Sequence, residues 1–248
     1  MKIILSPAKK MRVDTDGLPP LGLPRFLDRT EVLGDYLRGL EYRALKRLLA
    51  CNDAIAELNF RRYQVLDLRR GLTPALLAYE GIQYRYMAPG VFTAAMYEYA
   101  QAHLRILSGL YGLLLPFDGV TPYRLEMQAK LKTDFCANLY DFWGSALADA
   151  LLEDGETVVL NLASEEYAKA VRPYVPDRVR FVTPVFGELV EGRVMEKGVY
   201  VKMARGEMVR WLAERGAEGP DGITAFDGLG YRYAAEWSGR DMPVFLKG

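Results

Sequence analysis

Only one histidine, His103, and two cysteines, Cys51 and Cys136, occur in 248 residues. A zinc site needs three or four soft or imidazole ligands, so zinc and haem-type chemistry is nearly excluded. A carboxylate site for a hard cation stays open. The cysteines lie 85 positions apart with no CxxC, so there is no disulfide framework, and each reads as a small buried hydrophobe in a reducing compartment. No run approaches the ~18 apolar residues of a membrane span, and the stretch Met1 to Pro7 is too short in apolar residues for a signal peptide. The expectation is a cytoplasmic protein with no membrane partner.

The familiar catalytic signatures are missing as well. No GxGxxG, GxxxxGK[ST], GxSxG or HExxH is present, which removes the usual marks of dinucleotide binding, P-loop hydrolysis, α/β-hydrolase chemistry and zincin proteolysis. Net charge is absent too, with 32 basic and 32 acidic residues. Its distribution is uneven. Residues 1–110 carry 16 basic and 11 acidic side chains, and residues 111–248 carry 16 and 21. Much of the basic excess falls in residues 38–70, where eight Lys and Arg face four Asp and Glu. Such a stripe suits a polyanion, and equally suits a solvated helical face.

What is present is a globular composition, 50% hydrophobic and 26% charged, with no repeat and no Pro- or Ser-rich linker. One continuous domain over 1–248 is expected. Residues 2–6 read as a short buried strand, followed by a Pro7 to Pro24 loop that four prolines and two glycines keep irregular. Apolar residues at helical spacing then predict a helical lobe over about 25–70. Further on the pattern predicts a strand at Ala75–Tyr79, a helix at Phe92–Ala102 and a strand at Leu104–Ser108. It continues with a helix over Asn138–Leu152, a strand at Thr157–Asn161 and a helix capped by Ser164. A hairpin around Glu191-Gly192 within 179–203, a helix from Arg205 to Arg215 and a closing strand at Pro243–Leu246 complete the chain. Crossovers mixed with a hairpin give an α/β (mixed α+β) class: a mixed sheet flanked by helices, with a helical insertion near the N-terminus.

Three predicted strands end alike, at Ser6 with Lys9 just beyond, at Ser108, and at Asn161 with Ser164. As parallel neighbours they would gather these residues at one crevice, where open α/β sheets bind ligands; the bland reading is that each serine caps a turn. In Thr121 to Met127, Arg124 and Glu126 stand two apart and share a face in an extended segment. Arg124 would grip a carboxylate or phosphate and Glu126 would act as base or metal ligand, unless the two form a structural salt bridge. Lys202 and Arg205 fall at a predicted strand-to-helix junction, where free amides favour anions.

These residues sit in an ordered series of motifs. Leu5-Ser6-Pro7-Ala8-Lys9, His103 to Gly112, Pro122 to Met127, Leu139 to Gly144, Asn161 to Ser164 with Glu166-Tyr167, and Lys202 to Gly206 together resemble the bacterial YaaA family of peroxide stress proteins. The resemblance implies a cytoplasmic protein that limits unincorporated intracellular iron and protects DNA. It also implies a compact mixed α/β architecture called cantaloupe-like, with a helix-hairpin-helix motif that binds double-stranded DNA. It brings no established catalytic residues. Two places are candidates for the hairpin: Ile55 to Asn59, with Glu57 and Asn59 in place of glycines, and Ser108 to Gly112, whose glycines are spaced one residue too far apart.

Two classes of function follow. In the first, the protein binds DNA without sequence preference through Arg43, Lys46, Arg47, Arg61 and Arg62. In the second, it is an enzyme for a small anionic, nucleotide- or nucleobase-like metabolite. That ligand would be held by Ser6, Lys9, Ser108, Arg124, Asn161, Ser164, Lys202 and Arg205, with Glu126 and Lys9 as the candidate catalytic residues. No cofactor is called for. The acidic pairs Glu165-Glu166 and Asp14/Asp16 are better explained by helix-dipole and turn preferences than by iron, so any effect on iron is expected to be indirect.

Overall fold

A computed structural model describes all of residues 1–248. Nine strands build two sheets: β1 (Lys2–Leu5), β2 (Leu104–Ser108), β3 (Gly112–Leu114), β4 (Val158–Leu162), β5 (Arg180–Val182), β6 (Val185–Val190), β7 (Arg193–Met195), β8 (Tyr231–Tyr233) and β9 (Val244–Lys247). The main sheet has the order β3-β2-β1-β4-β5. In it β2, β1, β4 and β5 run parallel and β3 turns back against β2. Strand β1 is central and all four of its residues are buried, as a strand covered on both faces requires. The second sheet runs β7-β6-β9-β8. Pro184 stands between β5 and β6, where the chain leaves one sheet for the other. The β6–β7 turn takes positive φ at Glu191 (49°) and Gly192 (73°), the hairpin geometry its sequence predicts.

The helices are α1 (Leu27–Arg38), α2 (Tyr42–Leu49), α3 (Asp53–Gln64), α4 (Ile82–Met87), α5 (Ala94–His103), α6 (Leu139–Trp143), α7 (Ala146–Leu151) and α8 (Gly198–Arg215). The expected helical lobe is α1 to α3. Its apolar stripe, including Leu33, Leu37, Leu45, Leu49 and Tyr63, joins a core of 61 buried residues that runs from Ile3 to Phe245.

Four local expectations are corrected. Ala75–Ala78 is one helical turn, not a strand, lying between short ribbon strands at Thr73–Pro74 and Tyr79–Glu80. The stretch Asn138–Leu152 holds two helices, because Gly144 breaks it with φ 52° and ψ −137°. Ser164 stands at the N-cap of a single turn, Glu165–Ala168, but its side chain makes no cap hydrogen bond. Finally α8 begins at Gly198, so residues 198–203, expected to be strand, are helix.

Candidate functional site: a cationic pocket at the strand ends

Because β2, β1 and β4 are parallel neighbours, their carboxyl ends open on the same side. A pocket of about 500 Å³ lies there. Of the predicted residues, Ser6, Lys9, Arg124, Glu126, Ser164, Lys202 and Arg205 line it. They come from four separate stretches of chain, and each stretch is held by a different device.

Ser6 follows β1 directly; its hydroxyl accepts the Ser164 amide at 2.8 Å and meets the Ser164 hydroxyl at 3.2 Å. The Tyr84 phenol of α4 donates to the Ser6 carbonyl at 3.0 Å, and the Gln83 amide donates to the Leu162 carbonyl at 3.2 Å. Helix α4 is thereby pinned across the ends of β1 and β4. The segment carrying Arg124 and Glu126 is fixed by the Tyr63 phenol, which donates to the Arg124 carbonyl at 2.7 Å. Gly109 fixes it from beneath: a Cβ there would stand 2.3 Å from the Leu125 carbonyl oxygen, so only glycine permits this approach. The Ser108-Gly109 motif therefore serves backbone packing and not a phosphate cradle.

Arg124 and Glu126 do share a face, and they bind each other. One oxygen of Glu126, Oε1, receives both Arg124 and Lys9 at 3.0 Å. Burial pushes the Glu126 carboxyl up, but these two cations outweigh it and hold it below the usual range. Glu166, two residues past Ser164, also lines the pocket. Burial raises its carboxyl, with the nearby Glu126 adding to the rise and the Gln128 amide opposing it. Two carboxylates in one pocket are thus driven in opposite directions.

Lys202 and Arg205 are in the pocket for a reason other than the expected one. They lie inside α8, at its fifth and eighth residues, so free helix amides contribute nothing there. They project from one face of the helix, three residues apart. The pocket's ion pairs employ its other cations, Lys9, Arg124 and Lys10, the last with Glu80 at 3.2 Å. Burial lowers the Arg205 guanidinium, and Nε of both Arg124 and Arg205 is buried without a hydrogen-bond partner.

Two predicted ligands are corrected. Ser108 is fully buried; its hydroxyl accepts the amides of Leu110 and Tyr111 and meets the Tyr123 phenol at 2.5 Å. Asn161 is buried as well, donating to the Thr183 hydroxyl and accepting the Ala163 amide. Both face inward and secure the strand ends. Sequence reasoning missed Glu166, which it explained by the helix dipole, and the tyrosines. Tyr84, Tyr123 and Tyr167 line the pocket, and Tyr123 links Ser108 to Tyr79 at 2.8 Å. The signal available was the tyrosine content, 16 residues, several clustered near Gly81 and in the Arg124 segment.

The residues expected to contact DNA lie elsewhere, on α2 and α3. The turn between these helices is Ala50 to Asn52, with Ala50 left-handed at φ 44° and Asn52 capping α3 through the Ile55 amide. Both hairpin candidates are corrected. Ile55 to Asn59 is interior to α3, and Ser108 to Gly112 is a buried β2–β3 turn. Lys46 is paired with Asp53 at 2.6 Å, Arg61 with Glu57 at 3.1 Å, and half-buried Arg62 reaches the Asn59 side chain. Arg43 and Arg47 are exposed, four residues apart on α2, and enter no ion pair. His103 is structural: its ring stacks on Tyr99 and Nδ1 meets the Met1 carbonyl at 2.9 Å.

The fold and the pocket together define a mixed α/β protein that presents a cationic, tyrosine-lined cavity at the ends of parallel strands. The family described as peroxide stress protein YaaA matches residues 1–237, and the chain belongs to it. Relatives carry no more than the name UPF0246 protein. One from Desulfitobacterium hafniense (strain Y51) is 54% identical over 247 residues, spanning 100% of this chain and 98% of the relative. Another from Lachnoclostridium phytofermentans is 50% identical over 248 residues, spanning 100% and 97%. A third, from Agathobacter rectalis, is 48% identical over 245 residues, spanning 99% and 98%. No helix is long and apolar enough to cross a membrane.

Proposed function

We propose that the protein serves the peroxide stress response by binding a small anionic metabolite in the strand-end pocket. One observation carries this reading: Lys202 and Arg205 line the cavity without entering an ion pair, the nearby Glu196 acting on Arg205 only through its field. An anionic ligand would pair with both, the exposed Lys202 and the half-buried Arg205. Glu126, kept ionised by Lys9 and Arg124, is available as a charged hydrogen-bond acceptor for that ligand. The effect on unincorporated iron is then indirect, through the ligand or through DNA, and the protein works in the cytoplasm.

A thermal-shift screen with phosphate, pyrophosphate and sugar phosphates tests the reading. A ligand at 100 times its Kd adds about 2.7 kcal/mol of stability, which raises the melting temperature measurably. Arg205→Gln should abolish the rise. If none of these anions shifts the wild type, the anion pocket is rejected.

A second reading, sequence-independent binding of double-stranded DNA, is favoured by Arg43 and Arg47, the exposed and unpaired cations one turn apart on α2.

A further inference from the structure

The pocket's charges are sorted, and the sorting describes a ligand. Lys202 and Arg205 form a cationic wall that enters no ion pair, with Glu196 the one acidic side chain whose field reaches Arg205. Elsewhere the lining offers unused acceptors. Both cations on Glu126 bind its Oε1, leaving Oε2 without a partner and not sealed in protein. Glu166 accepts the Gln128 amide at Oε1 and the Met127 amide beside it, and a carboxylate with about four lone-pair sites keeps acceptor capacity beyond these two. Tyr84, Tyr123 and Tyr167 also line the pocket, each largely buried. A volume of about 500 Å³ is far larger than inorganic phosphate needs and is of the size that holds a drug-sized ligand.

We infer that the pocket takes a guanine nucleoside monophosphate, with its phosphate on Lys202 and Arg205 and its base edge on Glu126 and Glu166. The inference rests on the anion-pocket reading above. A phosphate monoester carries close to two negative charges at neutral pH, matching the two unpaired cations. Ionised carboxylates only accept hydrogen bonds, so they select a base that presents donors side by side. Guanine does so with its N1–H and 2-amino group. Adenine and cytosine set a ring acceptor beside their amine, which would face a carboxylate lone pair to lone pair.

Isothermal titration of the full chain tests this with guanosine 5′-monophosphate, adenosine 5′-monophosphate, guanosine, ribose 5-phosphate and inorganic phosphate. The guanine nucleotide should bind at least about tenfold tighter than the adenine nucleotide and than ribose 5-phosphate, the scale of one or two charge-assisted hydrogen bonds. Lys202→Ala, at an exposed position where folding is not at stake, should weaken the guanine nucleotide and ribose 5-phosphate alike and leave guanosine unchanged. Glu166→Gln should weaken the guanine nucleotide and leave ribose 5-phosphate unchanged. Equal affinity for the guanine nucleotide and ribose 5-phosphate would overturn the base assignment while the anion pocket stands. No binding by any phosphate compound would overturn both.

Discussion

Asp118 is a carboxyl that the fold disfavours in its charged form. It is buried, and burial pushes it up to about 6, against the Leu115 amide that Oδ2 accepts at 2.8 Å and the field of Arg105. A carboxyl raised in the folded state binds its proton more tightly there than in the unfolded chain. Its contribution is therefore most favourable below the unfolded pKa near 4 and is lost as pH rises through about 6. A displacement of about two units corresponds to at most roughly 3 kcal/mol. Asp118→Asn, which keeps an acceptor for Leu115, should be gained in stability over wild type at pH 7.5 and nearly level with it at pH 4. Urea unfolding at both pH values checks this, and an equal difference at the two would contradict it. Single residues also show where type and direction part in a sequence. Ser6 and Ser108 both end strands, yet one opens on the pocket and the other is turned inward by two backbone amides, a distinction set by tertiary contacts alone.

Elements position the pocket through close backbone approaches. Helix α8 crosses α4 at Gly206, where a Cβ would stand 2.0 Å from the Gln83 carbonyl oxygen. Since α8 carries Lys202 and Arg205 and α4 carries Gln83 and Tyr84, this contact sets the width of the cavity. Gly206→Ala must push backbone from backbone. It should destabilise by about 3 kcal/mol, the upper end of the overpacking range, and should weaken binding of any ligand bridging the two helices. Gly198→Ala in the same helix meets open space and should be neutral or stabilising by about 0.5–1 kcal/mol. Denaturant unfolding of both variants distinguishes a packing constraint from loss of chain flexibility, which would affect them equally. The same helix shows what the sequence conceals. Val199-Tyr200-Val201 reads as strand by propensity, but Val201 is buried against the core and packing of α8 along α4 prevails. The three strands that form the site were legible because continuous apolar runs mark buried parallel strands. The break at Gly144 was not, since the apolar stripe runs on through it.

At the scale of the molecule two cationic regions stand apart in the sequence and in their construction. The pocket is assembled from residues 6 to 205 and opens to solvent at Lys9, Lys10 and Lys202, whereas α2 and α3 present a short surface helix pair. The family motifs mark the first region: all six quoted stretches supply pocket lining or its backbone supports, Leu139 to Gly144 through the Tyr140 phenol, which donates to the Glu166 carbonyl at 2.9 Å. The basic stripe of residues 38–70 marks the second, but ion pairs with Asp35, Asp53, Glu57 and Glu31 absorb Arg38, Lys46, Arg61 and Arg69. What remains for a phosphate backbone is Arg43 and Arg47 on α2, exposed Arg70 and half-buried Arg62, so DNA affinity should be modest and strongly dependent on salt. If each neutralises one phosphate, Arg43→Ala/Arg47→Ala should lower the slope of log affinity against log salt by about 1.8, at roughly 0.9 per phosphate. Mobility shifts at several salt concentrations measure that slope, and Lys202→Ala should leave it unchanged, because its cation belongs to the pocket. A slope that falls with Lys202→Ala would instead join the two regions into one nucleic-acid surface, and no binding by wild type at low salt would remove DNA as a partner.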